Sequence, residues 1–182
     1  MVNFTVKTFQ ELSSTEIYEM LQLRCEVFVV EQDCVYQDVD NKDQKAFHVL
    51  GYKDEVLVAY SRIFDKGDYF DLPSIGRIVV KEEERKFKYG HELVATSIDF
   101  VLKNFQEKDI LISAQTYLTK FYNSHGFKQQ GEEYLEDGIP HIQMLRTTSI
   151  MPYNQVNTML PDTIESPSNT TPLPLTKLTR TM

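Results

Sequence analysis

Tryptophan is absent from this 182-residue chain, cysteine occurs only twice, and seven glycines are few for the length. Two cysteines cannot staple a disulfide scaffold. Cys25 falls inside a helical pattern and Cys34 in the loop beyond it, so free thiols are expected. Gly90 is the only glycine in the most cation-rich turn, which excludes both a Gly-Lys-Ser/Thr phosphate loop and a three-glycine dinucleotide fingerprint. No apolar run approaches the roughly 20 residues that span a bilayer, and Met1 to Thr5 offers neither a basic nor an apolar leader. The expectation is a cytoplasmic protein without membrane contact. Positive charge is the minority, 19 Lys and Arg against 27 Asp and Glu, which argues against a nucleic-acid partner and suits a cationic substrate. Four dispersed histidines and the two cysteines lack metal-ligand spacing, so no metal is expected.

What is present is enough for one core: 41% hydrophobic and 12% aromatic content in a length that fits a single domain. Composition breaks near Arg146. Residues 147–182 hold five of the seven prolines, no glycine and no periodicity, and read as a disordered or loosely docked tail behind a folded domain of residues 1–146.

Within that domain, strand and helix patterns alternate. Residues 4–9 alternate apolar and polar as an opening strand. Residues 14–28 place Ile17, Met20, Leu21, Leu23, Cys25 and Phe28 along one helical stripe, with Ser13, Ser14 or Thr15 available as cap. A loop with Asp33, Asp38, Asp40 and Asp43 follows. Residues 46–52 and 56–64 then form a hairpin around Lys53-Asp54-Glu55. Next come a strand over 75–80 and a helix over 89–105, in which Leu93, Val94, Ser97, Ile98, Val101, Leu102 and Phe105 keep a 3-4 repeat. Residues 110–112 read as a strand buried on both faces, the parallel partner reached by that crossover helix. A short helix over 116–125, a strand over 127–133, a turn at Glu136-Asp137-Gly138 and a strand over 139–145 complete a mixed α/β sheet.

The turn Arg85-Lys86-Phe87-Lys88-Tyr89-Gly90-His91 carries cations from a strand straight into a helix start. The first N–H groups of a helix have no intrahelical partner, and the dipole adds about half a positive charge there, so a pyrophosphate can dock on main chain.

The ordered pair Arg85-x-x-Lys88-x-Gly90 and Phe121-Tyr-Asn-Ser-His-Gly-Phe127 resembles the signature of the GNAT superfamily of acyl-CoA N-acyltransferases. The segments Leu21 to Gln32, Tyr36-x-Asp38-x-Asp40, His48, Ser113-Ala-Gln115 and Glu136 to Ile142 are similar to its ElaA-like branch, and the likeness covers residues 3–146. It implies an α/β (α+β) fold, a mostly antiparallel twisted sheet with a parallel central pair, flanked by helices. It implies acetyl-CoA as acyl donor, with Ile78, Val79 and Val80 offering backbone to the pantetheine arm. Arg85, Lys86, Phe87, Lys88, Tyr89, Gly90 and His91 would surround the pyrophosphate. Lys88 departs from the signature, which prefers glycine there.

Tyr122 then stands near the cofactor sulfur, where a phenol can return a proton to the departing thiolate. The amine must lose a proton before it attacks, and Glu31, Asp38, Asp40, His48 and His141 are the candidate bases, Glu31 and His48 being favoured. Arg24, Phe28, Gln32, Asp38, Asp40 and His141 are expected to shape the acceptor pocket. The implied activity is acetyl transfer to a primary amine of a small molecule or peptide by direct attack, and the family adds the expectation of a homodimer. Two other readings keep the fold. One is a non-catalytic CoA- or partner-binding module. The other is an acyl-homoserine lactone synthase, whose N-terminal part Arg24, Phe28 and the aspartate loop faintly resemble, although the tryptophan usual after that segment is missing.

Overall fold

The computed structural model describes residues 1–148. Seven strands form one sheet: β1 (Asn3–Thr8), β2 (Phe47–Lys53), β3 (Val56–Phe64), β4 (Ser74–Val80), β5 (Ile110–Gln115), β6 (Lys128–Glu136) and β7 (Ile139–Arg146). Their spatial order is β1-β2-β3-β4-β5-β7-β6. Every neighbouring pair is antiparallel except β4 and β5. That parallel pair needs a crossover, and the helix α2 (Tyr89–Asn104) supplies it. The expected mixed sheet with a central parallel pair is therefore the observed one.

Alternate residues of the strands feed two cores. On one face Val49, Ile63, Val80 and Ile112 pack with Leu93, Val94 and Val101 of α2. On the other, Leu50, Tyr60 and Val79 pack with Met20 and Leu23 of α1 (Ser14–Arg24) and with Val27. The pleat sends neighbours such as Val79 and Val80 to opposite sides, so both faces are covered by helix. Ser97, within the apolar stripe of α2, is fully buried and satisfied: its hydroxyl donates to Leu93 O at 2.8 Å and lies 2.9 Å from Ser61 Oγ. Ser13 caps α1. Its Oγ accepts from Glu16 N at 3.2 Å while Glu16 Oε2 accepts from Ser13 N at 2.8 Å, a reciprocal box worth about 0.5–2 kcal/mol.

Three local expectations need correction. The helix read over 14–28 changes register after Arg24, and Cys25–Glu31 is π-helical, with Gln32 N donating to Val27 O five residues back. Periodicity cannot separate the two, because apolar residues recur at nearly the same spacing in each. Strand β5 is not buried on both faces. Ile110, Ile112 and Ala114 are buried, whereas Leu111, Ser113 and Gln115 are only half-buried, and Ser113 and Gln115 line a cavity. The short helix over 116–125 is a 3-10 turn (Thr116–Leu118) followed by α3 (Thr119–Asn123), closed by Gly126 at φ 87°. The expected tail lies outside the described residues from 149 onward. Thr148 still bonds the folded unit, donating from its N–H to Asp109 Oδ1 at 2.9 Å.

Candidate active site

Strands β4 and β5 share a single register pair, Ser74 with Leu111, and then part. The cause lies in β4. Against β3, Arg62 pairs with Gly76 and Tyr60 with Val79, so Ser61 alone faces both Arg77 and Ile78. This is a β-bulge, and Arg77 within it adopts φ 51°, left-handed backbone that a non-glycine side chain rarely takes. The bulge bends β4 away from β5 and opens a wedge in the middle of the sheet. A cavity of about 480 Å³ fills it, walled by Ile78, Val79 and Val80 on one side and Ser113 and Gln115 on the other.

Charged groups beneath the wedge hold the bulge. Arg77 Nε donates to Asp38 Oδ1 at 2.7 Å, and Asp38 Oδ2 accepts from Arg24 Nε at 2.7 Å. Arg24 Nη1 also meets Asp43 Oδ1 at 2.8 Å, and the same oxygen accepts from Arg62 Nη1 at 2.8 Å. Arg62 Nη2 meets Asp40 Oδ2 at 2.5 Å. Three arginines and three aspartates thus close a neutral network. Burial pushes the Asp38 and Asp40 carboxyls up, but the arginines prevail and hold both below the usual carboxylate value. Of the residues expected to contact the acceptor, Arg24 and Asp38 are buried and Asp40 half-buried in this network, and none of the three lines the cavity.

His48 does not line the cavity either. It is fully buried; Nε2 donates to Asp43 O at 2.9 Å and Nδ1 accepts from the Tyr60 hydroxyl at 2.8 Å. A carbonyl can only accept, so the ring is the neutral Nε2–H tautomer with no free lone pair. Burial lowers its pKa below the ordinary imidazole value.

Where β4 ends, a 3-10 turn (Glu82–Phe87) leads to Lys88, whose φ of 64° starts α2 from left-handed backbone. This conformation explains why glycine suits the position, and the structure shows lysine accommodated in it. Lys88, Gly90, His91 and Arg85 line the cavity; the side chains of Lys86, Phe87 and Tyr89 do not. Phe87 stacks on Tyr89 with centroids 5.6 Å apart, under the Lys53 ammonium, and Tyr89 is buried. Lys88 pairs with no carboxylate among the described residues. Arg85 is held by Glu31 through two contacts of 2.6 Å, and its Nε donates to Val80 O at 3.0 Å. His91 Nδ1 lies 3.0 Å from His125 Nε2. A Cβ placed on Gly90 would meet Phe121 at 3.7 Å and Val80 at 3.8 Å, ordinary contact, so the protein itself does not demand glycine there.

Tyr122 lines the cavity with its ring packed edge-on against Phe121 and Phe127. Burial raises its pKa, so the phenol keeps its proton. At the other end, Phe28, Glu31 and Gln32 enter the wall from the π-helical segment, and Gln32 Oε1 accepts from Gln115 Nε2 at 3.0 Å. His141 lies on the wall opposite Gln115 in register; its Nδ1 donates to Ile139 O at 2.8 Å, which leaves the Nε2 lone pair free. Reading the sequence by residue missed Tyr36, Ser113, Gln115 and Glu136 as wall residues. The pleat was the available signal: Ser113 and Gln115 alternate with buried Ile112 and Ala114.

Comparison with known proteins agrees with this geometry. Residues 10–148 match the model of the acetyltransferase (GNAT) domain. Protein ElaA of Escherichia coli K12 is 44% identical over 138 residues, 75% of this chain and 90% of ElaA. The crystal structure of Escherichia coli ElaA superposes with a TM-score of 0.76, over 81% of this chain and 100% of that one, at 41% identity. An acyl-CoA N-acyltransferase from Pseudomonas aeruginosa superposes with a TM-score of 0.77 at 37% identity, again over 81% of this chain and all of that one.

Proposed function

The chain belongs to the GNAT acetyltransferase family, and on that premise we propose that it transfers an acetyl group from acetyl-CoA to a primary amine of a small molecule or peptide, by direct attack. The parting of β4 from β5 carries this reading. Past Ser74 the β5-facing backbone of β4 has no strand partner, so an extended amide-bearing arm can pair with Ile78, Val79 and Val80 as a further strand would. The pyrophosphate then meets the start of α2, where the N–H groups of Tyr89 and Gly90 precede the first helical bonds and Lys88 and Arg85 add charge.

His141 is the base we favour, because its Nε2 lone pair on the cavity wall has no protein partner, whereas both Glu31 oxygens are held by Arg85. The freed nitrogen adds to the thioester carbon. Collapse of the tetrahedral intermediate breaks the C–S bond and sends its electron pair to sulfur, which takes a proton from Tyr122, and the Tyr122 phenolate regains one from the nitrogen as the neutral amide forms. Free thiols at Cys25 and Cys34 fit a cytoplasmic setting.

Calorimetric titration with acetyl-CoA and desulfo-CoA, followed by thiol release against a panel of amines, tests the reading. Micromolar binding, weakened about tenfold or more by Arg85→Ala, and amine-dependent thiol release slowed by Tyr122→Phe at unchanged acetyl-CoA affinity are expected. Absence of binding would overturn it. Binding with no release for any amine would favour the CoA-binding module instead.

A further inference from the structure

Every arginine on the cavity wall is already matched to a carboxylate: Arg62 to Asp40 and Asp43, Arg77 to Asp38, and Arg85 to Glu31. Glu136 reverses the situation. It lines the cavity half-buried, and no Lys, Arg or His of the described residues pairs with it. It is nevertheless held in place. Ser113 Oγ donates to Glu136 Oε2 at 2.7 Å, and the Tyr134 hydroxyl lies 2.5 Å from the same Ser113 oxygen. Because the Ser113 proton is committed to the carboxylate, the Tyr134 hydroxyl donates to Ser113 or to the carboxylate itself. Ser113 and Tyr134 together orient the carboxylate, and no cation among the described residues neutralises it.

Strand pairing keeps this group at the acceptor end. Glu136 lies opposite Ile139 and Tyr134 opposite His141, and the pleat puts all four on the face that carries Ser113. Nearby walls are aromatic, with Tyr36, Tyr69 and Phe70 on the cavity. An oriented carboxylate without a counter-charge, among apolar rings, is what an organic cation requires.

We propose that Glu136, aimed by Ser113 and Tyr134, is the anionic anchor that receives the ammonium of the acceptor, and that the acceptor joins this ammonium to an apolar body. The inference rests on the acetyl-transfer reading for its meaning, but anchoring of a cation can be measured without transfer. Asp137, the other cavity carboxylate without a cation, sits exposed in the tight turn at φ 50° and serves as control.

The test uses the full chain with desulfo-CoA present and compares phenethylamine with its uncharged isostere 2-phenylethanol by saturation-transfer NMR titration. The wild type is expected to prefer the amine about tenfold or more. Glu136→Gln, which can still accept from Ser113, should bring the two ligands within about twofold, while Asp137→Asn keeps the preference. Equal binding of both ligands by the wild type, no binding of the amine, or an undiminished preference in Glu136→Gln would each overturn the proposal. Calorimetry with acetyl-CoA on the same samples separates the two readings. A charge preference that depends on Glu136 but comes without acetyl-CoA binding would uphold the anchor and remove the transferase assignment.

Discussion

Asp38 holds Arg77 at 2.7 Å while Arg77 occupies left-handed backbone, so one buried carboxylate stabilises the bend that opens the sheet. Asp38→Asn leaves Arg24 and Arg77 each short of a counter-charge. Breaking such a buried pair should cost about 3–5 kcal/mol in denaturant unfolding. Arg77→Gly should be less destabilising than Arg77→Ala by about 1 kcal/mol, because glycine takes positive φ freely and alanine does not. Equal losses for the two substitutions would show that the backbone conformation carries no strain.

Glu31 competes with any anion for Arg85. The ion pair is partly exposed, and its hydrogen bonds to Glu31 raise the Arg85 pKa. Exposed pairs contribute about 0–1 kcal/mol, so Glu31→Gln should tighten desulfo-CoA binding by no more than about fivefold. Calorimetry reads this directly. Weakened binding would mean that Glu31 positions Arg85 for the pyrophosphate rather than withholding it.

Gly90→Ala separates folding from binding. The added methyl meets only ordinary contacts, and alanine gains about 0.5–1 kcal/mol over glycine in a helix, so thermal stability should hold or rise. Acetyl-CoA affinity should fall, since the methyl stands on the cavity wall where the pyrophosphate would approach main chain. A stable variant with unchanged affinity would place the phosphates elsewhere.

Acid should unfold the protein in two stages. His48 is neutral in the native state, with a pKa below the 6.5 of a free imidazole. Between those two values the unfolded chain binds a proton that the native state refuses, so this stabilisation is complete above 6.5 and is lost as the pH falls through the native value. Asp38 and Asp40 act the same way from 3.8 downward. Unfolding free energy measured against pH should therefore be level above neutrality, decline below about 6.5 and fall again below about 4. His48→Gln should shrink the first decline to the part that His125 contributes, whose pKa burial also lowers, and keep the second.

Much of the fold was legible in the order of residues because it rests on local periodicity. The stripe of Leu93, Val94, Ile98 and Val101 commits α2 to one face of a sheet, and a crossover helix of that length makes its flanking strands parallel neighbours. The cation-rich turn before Gly90, which brings Arg85 and Lys88 to the cavity wall, was legible for the same reason: a helix start and its charges lie within a few residues. That His48, Arg24, Asp38 and Asp40 lie off the cavity wall was not legible, because a polar residue in a sequence shows its chemistry and not its burial.

Chain order by itself determined the elements, the parallel centre and the basic helix start, all of which depend on neighbours within about one turn or one crossover. Tertiary structure alone decided which polar groups frame the site and which face it. Arg77 and Asp38 are 39 positions apart, Arg85 and Glu31 54, and Ser113 and Glu136 23. Those pairings, and the bulge that an arginine rather than a glycine occupies, exist only once the sheet has closed and low-dielectric surroundings oblige each buried charge to find its partner.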